Sequence, residues 1–185
     1  MTIFEKKKLE REMFKKLRNE MSINQREDVE KNVKLYVDLF VKENTNIGYI
    51  AIYWPIKNEV DIRSLKEKFS LALPRCKDRK DLIFYPWDEK PLSKDSEGIL
   101  SPNNSSSLSH KQISLILVPC LSVDKNLIRL GYGGGYFDKL RKDKNWRNVP
   151  CIGVLTSNCV SKIPLTRAEW DIPLSGFITE KEIFV

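Results

Sequence analysis

Ten consecutive residues, Arg129-Leu-Gly-Tyr-Gly-Gly-Gly-Tyr-Phe-Asp138, hold four of the chain's eight glycines between a cation and a carboxylate. Without β-carbons, consecutive backbone N–H groups can turn onto phosphate oxygens, and a helix that follows adds the positive end of its dipole. In that reading Arg129 neutralises phosphate charge, and Asp138, one helical turn in, faces a magnesium ion. The alternative is a plain tight turn with glycines at strained dihedrals. Gly131, Gly133, Gly134 and Gly135 together, between Arg and Asp and after an apolar run, favour the ligand loop. It is neither familiar phosphate loop. No Gly-Lys-Ser/Thr follows, and Tyr136 stands where the third glycine of a dinucleotide fingerprint would fall.

The rest of the composition removes other chemistries. A single histidine, His110, lies in a polar stretch, so a His-centred metal site or catalytic triad has nothing to be built from. Cys76, Cys120, Cys151 and Cys159 show no close pair of metal-ligand spacing and read as buried, reduced thiols of a cytoplasmic protein. No apolar stretch near Met1 to Arg11 resembles a secretory signal, and no run is long enough to span a membrane. The formal net charge of +7 fits nucleic acid, a membrane surface or small acidic ligands equally. Glu5, Glu10, Glu12 and Glu20 alternate with the cations of the first helix, which reads as a mixed solvated face rather than a basic arm.

The elements that must position the loop follow from periodicity. Leu9, Met13, Leu17 and Met21 form one stripe of a first helix; Val29, Val33, Tyr36, Val37 and Phe40 mark a second, beginning after Ser22 and ending at Asn44 and Asn46. Residues 47–54 read as a buried strand stopped by Pro55. Val60, Ile62, Leu65 and Phe69 give a short helix, and residues 71–74 and 82–87 give strands. Residues 88–110 read as a long surface loop of little structure. Residues 113–121 are the most apolar stretch, a central parallel strand; a helix over 136–142, a strand over 151–155 and a short strand near 176–179 follow. At 185 residues this predicts an α/β chain, a single three-layer α/β/α domain with a mostly parallel central sheet, Rossmann-like, with ligands at the carboxyl ends of its strands.

The loop, preceded by Leu117-Val-Pro-Cys-Leu-Ser-Val-Asp124, closely resembles the signature of the 5-formyltetrahydrofolate cyclo-ligase family, the methenyltetrahydrofolate synthetases. Agreement extends over nearly the whole chain: Lys-Lys-Leu-Arg-Asn-Glu-Met-Ser in the first helix, Tyr53-Trp-Pro-Ile-Lys-Asn-Glu59-Val-Asp, Leu73-Pro-Arg, Gly98-Ile and Trp170-Asp171-Ile-Pro. The resemblance implies ATP- and Mg2+-dependent closure of 5-formyltetrahydrofolate, with or without a glutamate tail, by a cytoplasmic monomer that binds neither nucleic acid nor membrane. It also implies roles. Lys6, Arg129, Leu130, Gly131, Tyr132, Gly133, Gly134, Gly135, Tyr136 and Phe137 would contact ATP. Trp54, Glu59 and residues 132–136 would contact folate, Arg129 and Tyr136 would be catalytic, and Asp138 and Asp171 would hold magnesium.

Taken alone, Trp54 also suits a core aromatic, Glu59 a charge at a helix start and Asp171 a cap. The chain departs from the family pattern twice. Glu10 stands where an Arg four residues after Lys6 is usual, with Arg11 adjacent but turned by about 100°; and no acidic residue precedes Pro102. The departure at Glu10 motivates a rival, a nucleotide-binding module without turnover, and the net charge motivates a second, nucleic-acid binding.

Overall fold

The computed structural model describes residues 1–103 and 106–185. Helix α1 (Ile3–Asn19) starts at a capping box, in which Thr2 accepts from the Glu5 N–H and Glu5 from the Thr2 N–H. Ser22 and Gln25 make the same reciprocal pair at the start of α2 (Ile23–Glu43). The chain then enters β1 (Tyr49–Ala51), a 3-10 turn (Arg63–Glu67), β2 (Leu71–Lys77) and β3 (Asp81–Pro86). The hairpin β4 (Ser93–Lys94) and β5 (Leu100–Ser101) leads to β6 (Ile113–Pro119), β7 (Ser122–Asp124) and β8 (Arg129–Leu130). Short helices α3 (Tyr136–Leu140) and α4 (Lys144–Arg147) precede β9 (Cys151–Val154), β10 (Val160–Ser161), β11 (Gly176–Ile178) and β12 (Ile183–Phe184).

Seven strands form the main sheet in the order β12-β11-β9-β6-β1-β2-β3. The five inner strands run parallel, and β3 and β12 pair antiparallel at the edges. Alternation along β6 divides the core. Leu115 and Leu117 join Val29, Val33 and Val37 of α2 on one face, while Ile116 and Val118 join Phe14, Leu130, Cys151 and Phe177 on the other. The α/β expectation with a mostly parallel sheet holds. The second outer layer, however, is built from α1, short helices and a three-stranded sheet, β10-β7-β8, instead of long crossover helices. From β1 the chain moves outward to β2 and β3, then returns to place β6 on the other side of β1. The crevice beyond the carboxyl ends of β1 and β6 is therefore the switch point, the usual place for a ligand in such a sheet.

Four local expectations need correction. In α1, Leu9 and Met13 are 53% and 49% exposed, whereas Lys7, Phe14 and Arg18 are buried, so the helix turns a partly cationic face inward. The inward face is chosen by buried acidic partners, Asp171 for Lys7 and Glu59 for Arg18. The alternating charges of this helix are thus not all on a solvated face. The strand expected over 47–54 pairs only from Tyr49 to Ala51, and the helix expected over Val60 to Phe69 is a single 3-10 turn.

The stretch 88–110 is also more ordered than its composition predicts; Asn104 and Ser105 within it lie outside the described residues. Asp95 Oδ2 accepts from the Cys76 N–H, Asp95 Oδ1 accepts from the Glu97 and Ile99 N–H groups, and Arg75 donates to Ser93, Ser101 and the Pro102 carbonyl. These bonds pin the β4–β5 hairpin to β2. Among the described residues no helix is long and apolar enough to cross a membrane, and all four cysteines are buried and unpaired.

Asp124 fixes the frame behind the site. It is 1% exposed, and its carboxylate accepts from the N–H groups of Asn126 (2.9 Å), Ile128 (3.0 Å) and Leu165 (2.8 Å). Asp124→Ala strands these donors and is expected to cost about 3 kcal/mol, measured as a shift in the urea midpoint at constant slope.

Candidate active site

A cavity of about 700 Å³ opens at the carboxyl ends of β1 and β6, a size within the range of small-molecule sites. Over a floor from β2, β3 and the end of β6, its walls include α1 through Lys7 and Arg11, the segment after β1 through Trp54 and Glu59, the β4–β5 hairpin through Glu97 and Ile99, residues 129–138, and Trp170 with Asp171. Every site residue expected from the sequence is on this wall except Lys6, which is exposed and points elsewhere. Lys7 and Arg11 take the place expected of Lys6 and its partner four residues on. Glu10 faces away, accepting from both the N–H and the hydroxyl of Thr166.

The glycines serve different ends. The Arg129 guanidinium folds back over Gly131, where a β-carbon would lie 2.9 Å from Arg129 Nη1. A β-carbon on Gly134 would meet the Tyr136 ring at 2.7 Å. Gly133 and Gly135 have φ of 110° and 68°, a region that penalises side chains. Gly135 leads directly into α3, whose five residues make too short a helix for a strong dipole. Anion attraction at this wall therefore rests on Lys7, Arg11 and Arg129. Arg11 Nε donates to the Gly131 carbonyl at 2.9 Å, tying α1 to the loop.

Arg129 is enclosed, donating to the Pro119 carbonyl and to Asp138 Oδ2, each at 3.3 Å, with its guanidinium 5.3 Å from the Phe137 ring centre. Burial pulls the guanidinium down, but Asp138 and the thiols of Cys120 and Cys151 more than offset it, so its pKa lies above the ordinary value. It stays charged at any pH of interest. Tyr136 donates to Glu97 Oε1 at 2.8 Å, and partial burial with that bond pushes its phenol up to about 12. Tyr136 thus keeps its proton near neutrality and shares it with Glu97, the state of a donor and not of a base.

On the opposite wall Trp54 packs edge-on to Trp87 at 5.9 Å, with the Arg63 guanidinium 4.5 Å from its ring centre. Glu59 is buried; Oε2 accepts from the Ile56 N–H at 2.9 Å, and Oε1 lies 3.7 Å from Arg18 Nη1. Burial pushes this carboxyl up to about 7, against the pull of the Ile56 N–H, Arg18 and Arg129. It is therefore poised between neutral and charged forms near neutrality, a property common in functional clefts.

Asp138 and Asp171 share the cavity wall, and each already meets a protein cation: Arg129 for Asp138, Lys7 for Asp171. Asp171 also accepts from the Ala168 N–H at 2.7 Å. Among the described residues no group of three or more His, Cys, Asp or Glu could hold a metal ion. The donor type suits magnesium, which is commonly bound by one or two carboxylates together with nucleotide phosphates, provided that Lys7 and Arg129 turn from the carboxylates to those phosphates.

Sequence reasoning did not single out Lys7 or Glu97, both of which lie on the cavity wall. The spacing of Lys7 and Arg11, four apart and on one helix face, was the available signal for the first. Nothing local announced Glu97, whose place depends on the hairpin.

The family model for the 5-formyltetrahydrofolate cyclo-ligase family matches residues 3–180. A 5-formyltetrahydrofolate cyclo-ligase of Haemophilus influenzae is 26% identical over 87% of this chain and 90% of its own length. That of Mycoplasma pneumoniae is 27% identical over 96% and 99%. Among solved structures, Aquifex aeolicus 5,10-methenyltetrahydrofolate synthetase superposes with a TM-score of 0.78 at 27% identity, covering 96% of this chain and 91% of the other.

Proposed function

Because the chain belongs to the 5-formyltetrahydrofolate cyclo-ligase family, we propose that it closes 5-formyltetrahydrofolate to 5,10-methenyltetrahydrofolate at the expense of ATP, which leaves as ADP and phosphate. The observation that carries this reading is one cavity walled both by the glycine loop with its cations and by half-buried Trp54 with buried Glu59. One wall suits phosphates; the other suits a flat heterocycle with hydrogen-bond donors on its edge.

In this proposal the γ-phosphoryl group passes to the formyl oxygen and makes a poor leaving group a good one. The N-10 lone pair then attacks the formyl carbon, N-10 loses its proton, and the carbon–oxygen bond breaks as phosphate departs. The protein contributes position and charge. Lys7, Arg11 and Arg129 hold the phosphates, and the backbone of residues 130–137 lies along them. Tyr136 turns its single hydroxyl proton from Glu97 to the reacting oxygens when they are bound. Trp54 and Glu59 hold the pterin, Glu59 accepting from its edge. Asp138 and Asp171 would hold magnesium, which supplies neutralisation of phosphate charge when bound. The buried, unpaired thiols support a reducing, cytoplasmic setting.

The test is growth of the methenyl chromophore when 5-formyltetrahydrofolate, ATP and Mg2+ are mixed with the folded protein. Absence of the chromophore, with ATP binding that folate leaves unchanged, would instead support the nucleotide-binding module. That rival drew on Glu10, yet Arg11 takes the cavity-facing place. Nucleic-acid binding loses part of its motivation too, since Lys7 and Arg18 point inward.

A further inference from the structure

Arg18 is 4% exposed and does not reach the cavity, yet it touches both of its walls from behind. Its Nη1 lies 3.7 Å from Glu59 Oε1, and its guanidinium carbon sits 4.7 Å from the centre of the Tyr132 ring. Arg18 Nε and Nη1, Glu59 Oε1 and the Tyr132 hydroxyl are all buried without a hydrogen-bond partner among the described residues. Such a cluster is poorly explained as a stabilising device. Enclosing an ion pair costs desolvation that its attraction barely repays, and unmade hydrogen bonds add to the cost.

We propose that Arg18 is a positioning residue for the folate-facing wall: it favours the ionised form of Glu59 and holds that side chain in place at the cavity wall, and it fixes the Tyr132 ring of the glycine loop by stacking beneath it. The inference rests on the folate reading of this wall and deepens it. Helix α1 then serves the site twice, presenting Lys7 and Arg11 to one ligand and setting the charge of the groove for the other. Glu59 faces Arg18 from α1 and Arg129 from β8, with the Ile56 N–H bonded to it and the Tyr53 hydroxyl and Cys120 thiol also within its field. Of these, Arg18 is the larger cationic influence. Removing it leaves burial less opposed, so Glu59 would hold its proton to higher pH.

The test follows Glu59 directly. In protein carrying 13C-labelled glutamate carboxyls, the Glu59 resonance, identified by its loss in Glu59→Gln, is titrated in the wild type, Arg18→Met and Arg18→Lys. The affinity for 5-formyltetrahydrofolate is measured over the same pH range. Wild-type Glu59 is expected to titrate near 7, with folate affinity rising as the carboxyl ionises. Arg18→Met is expected to move both inflections up by about one unit and to weaken folate binding about fivefold at pH 7, with the loss narrowing by pH 9. Arg18→Lys, which keeps the charge, should restore most of both. An unmoved Glu59 inflection in Arg18→Met, or an equal loss of affinity at every pH, overturns the proposal. Should Arg18→Met not fold, Arg18→Gln provides the neutral comparison. A wild type that binds no folate at any pH overturns the folate reading instead, while the resonance still decides whether Arg18 governs the charge of Glu59.

Discussion

Asp138→Asn is expected to lower ATP-dependent turnover of 5-formyltetrahydrofolate by about 10²- to 10³-fold, the loss typical when a preorganised electrostatic group is taken from a transition state. The variant keeps an oxygen able to accept from Arg129 at the 3.3 Å contact, so the side chain remains in place. What it loses is charge. The buried guanidinium then lacks its counter-ion, which is expected to cost about 1 kcal/mol of stability, a small shift in the denaturation midpoint. The informative comparison is between the two losses. A large fall in turnover with a small fall in stability supports a role at the metal and phosphates, and it should be accompanied by weaker Mn2+ binding in the presence of ADP. If stability and rate fall together, and Mn2+ binding is unchanged, Asp138 is a structural counter-ion for Arg129 and nothing more.

Lys7→Met is expected to reduce kcat/KM for ATP by about 10- to 100-fold, the equivalent of one charge-assisted hydrogen bond, whereas Lys6→Met should leave it within about twofold, as for an exposed lysine. The adjacent lysines point in different directions from α1: Lys7 reaches the cavity and Asp171, and Lys6 faces solvent. Steady-state kinetics with varied ATP measure both. The reverse ranking would mean that the helix is rotated by one residue relative to its placement here. The same displacement would turn Arg11 away from Gly131, so Arg11→Met serves as an internal check: it should resemble Lys7→Met.

Local patterns in the chain were enough for several conclusions. Apolar runs at 113–119 and 151–154 lie in the centre of the sheet because a strand covered on both faces has no room for polar side chains. Four glycines between Arg129 and Asp138 read as a bend that must admit something close to the backbone. That bend lines the cavity, although Gly131 and Gly134 also leave space for the neighbouring side chains of Arg129 and Tyr136. These properties depend on residues near one another in sequence, and short-range sterics and burial suffice to express them.

What only the tertiary structure decided is which face of α1 turns inward and what residues 88–110 do. A step of one residue rotates a helix by about 100°, and the apolar stripe of Leu9 and Met13 offered a plausible but different inward face. The choice is made by Asp171, 164 positions away from Lys7, and by Glu59, whose buried carboxyl pairs with Arg18. The hairpin carrying Glu97 is likewise held by Arg75 and Asp95 through hydrogen bonds to polar and backbone groups, which leave no hydrophobic period to read. Apolar burial repeats along the chain and so can be seen in it. A buried charge is placed by its partner, and that partner is known only once the chain has folded.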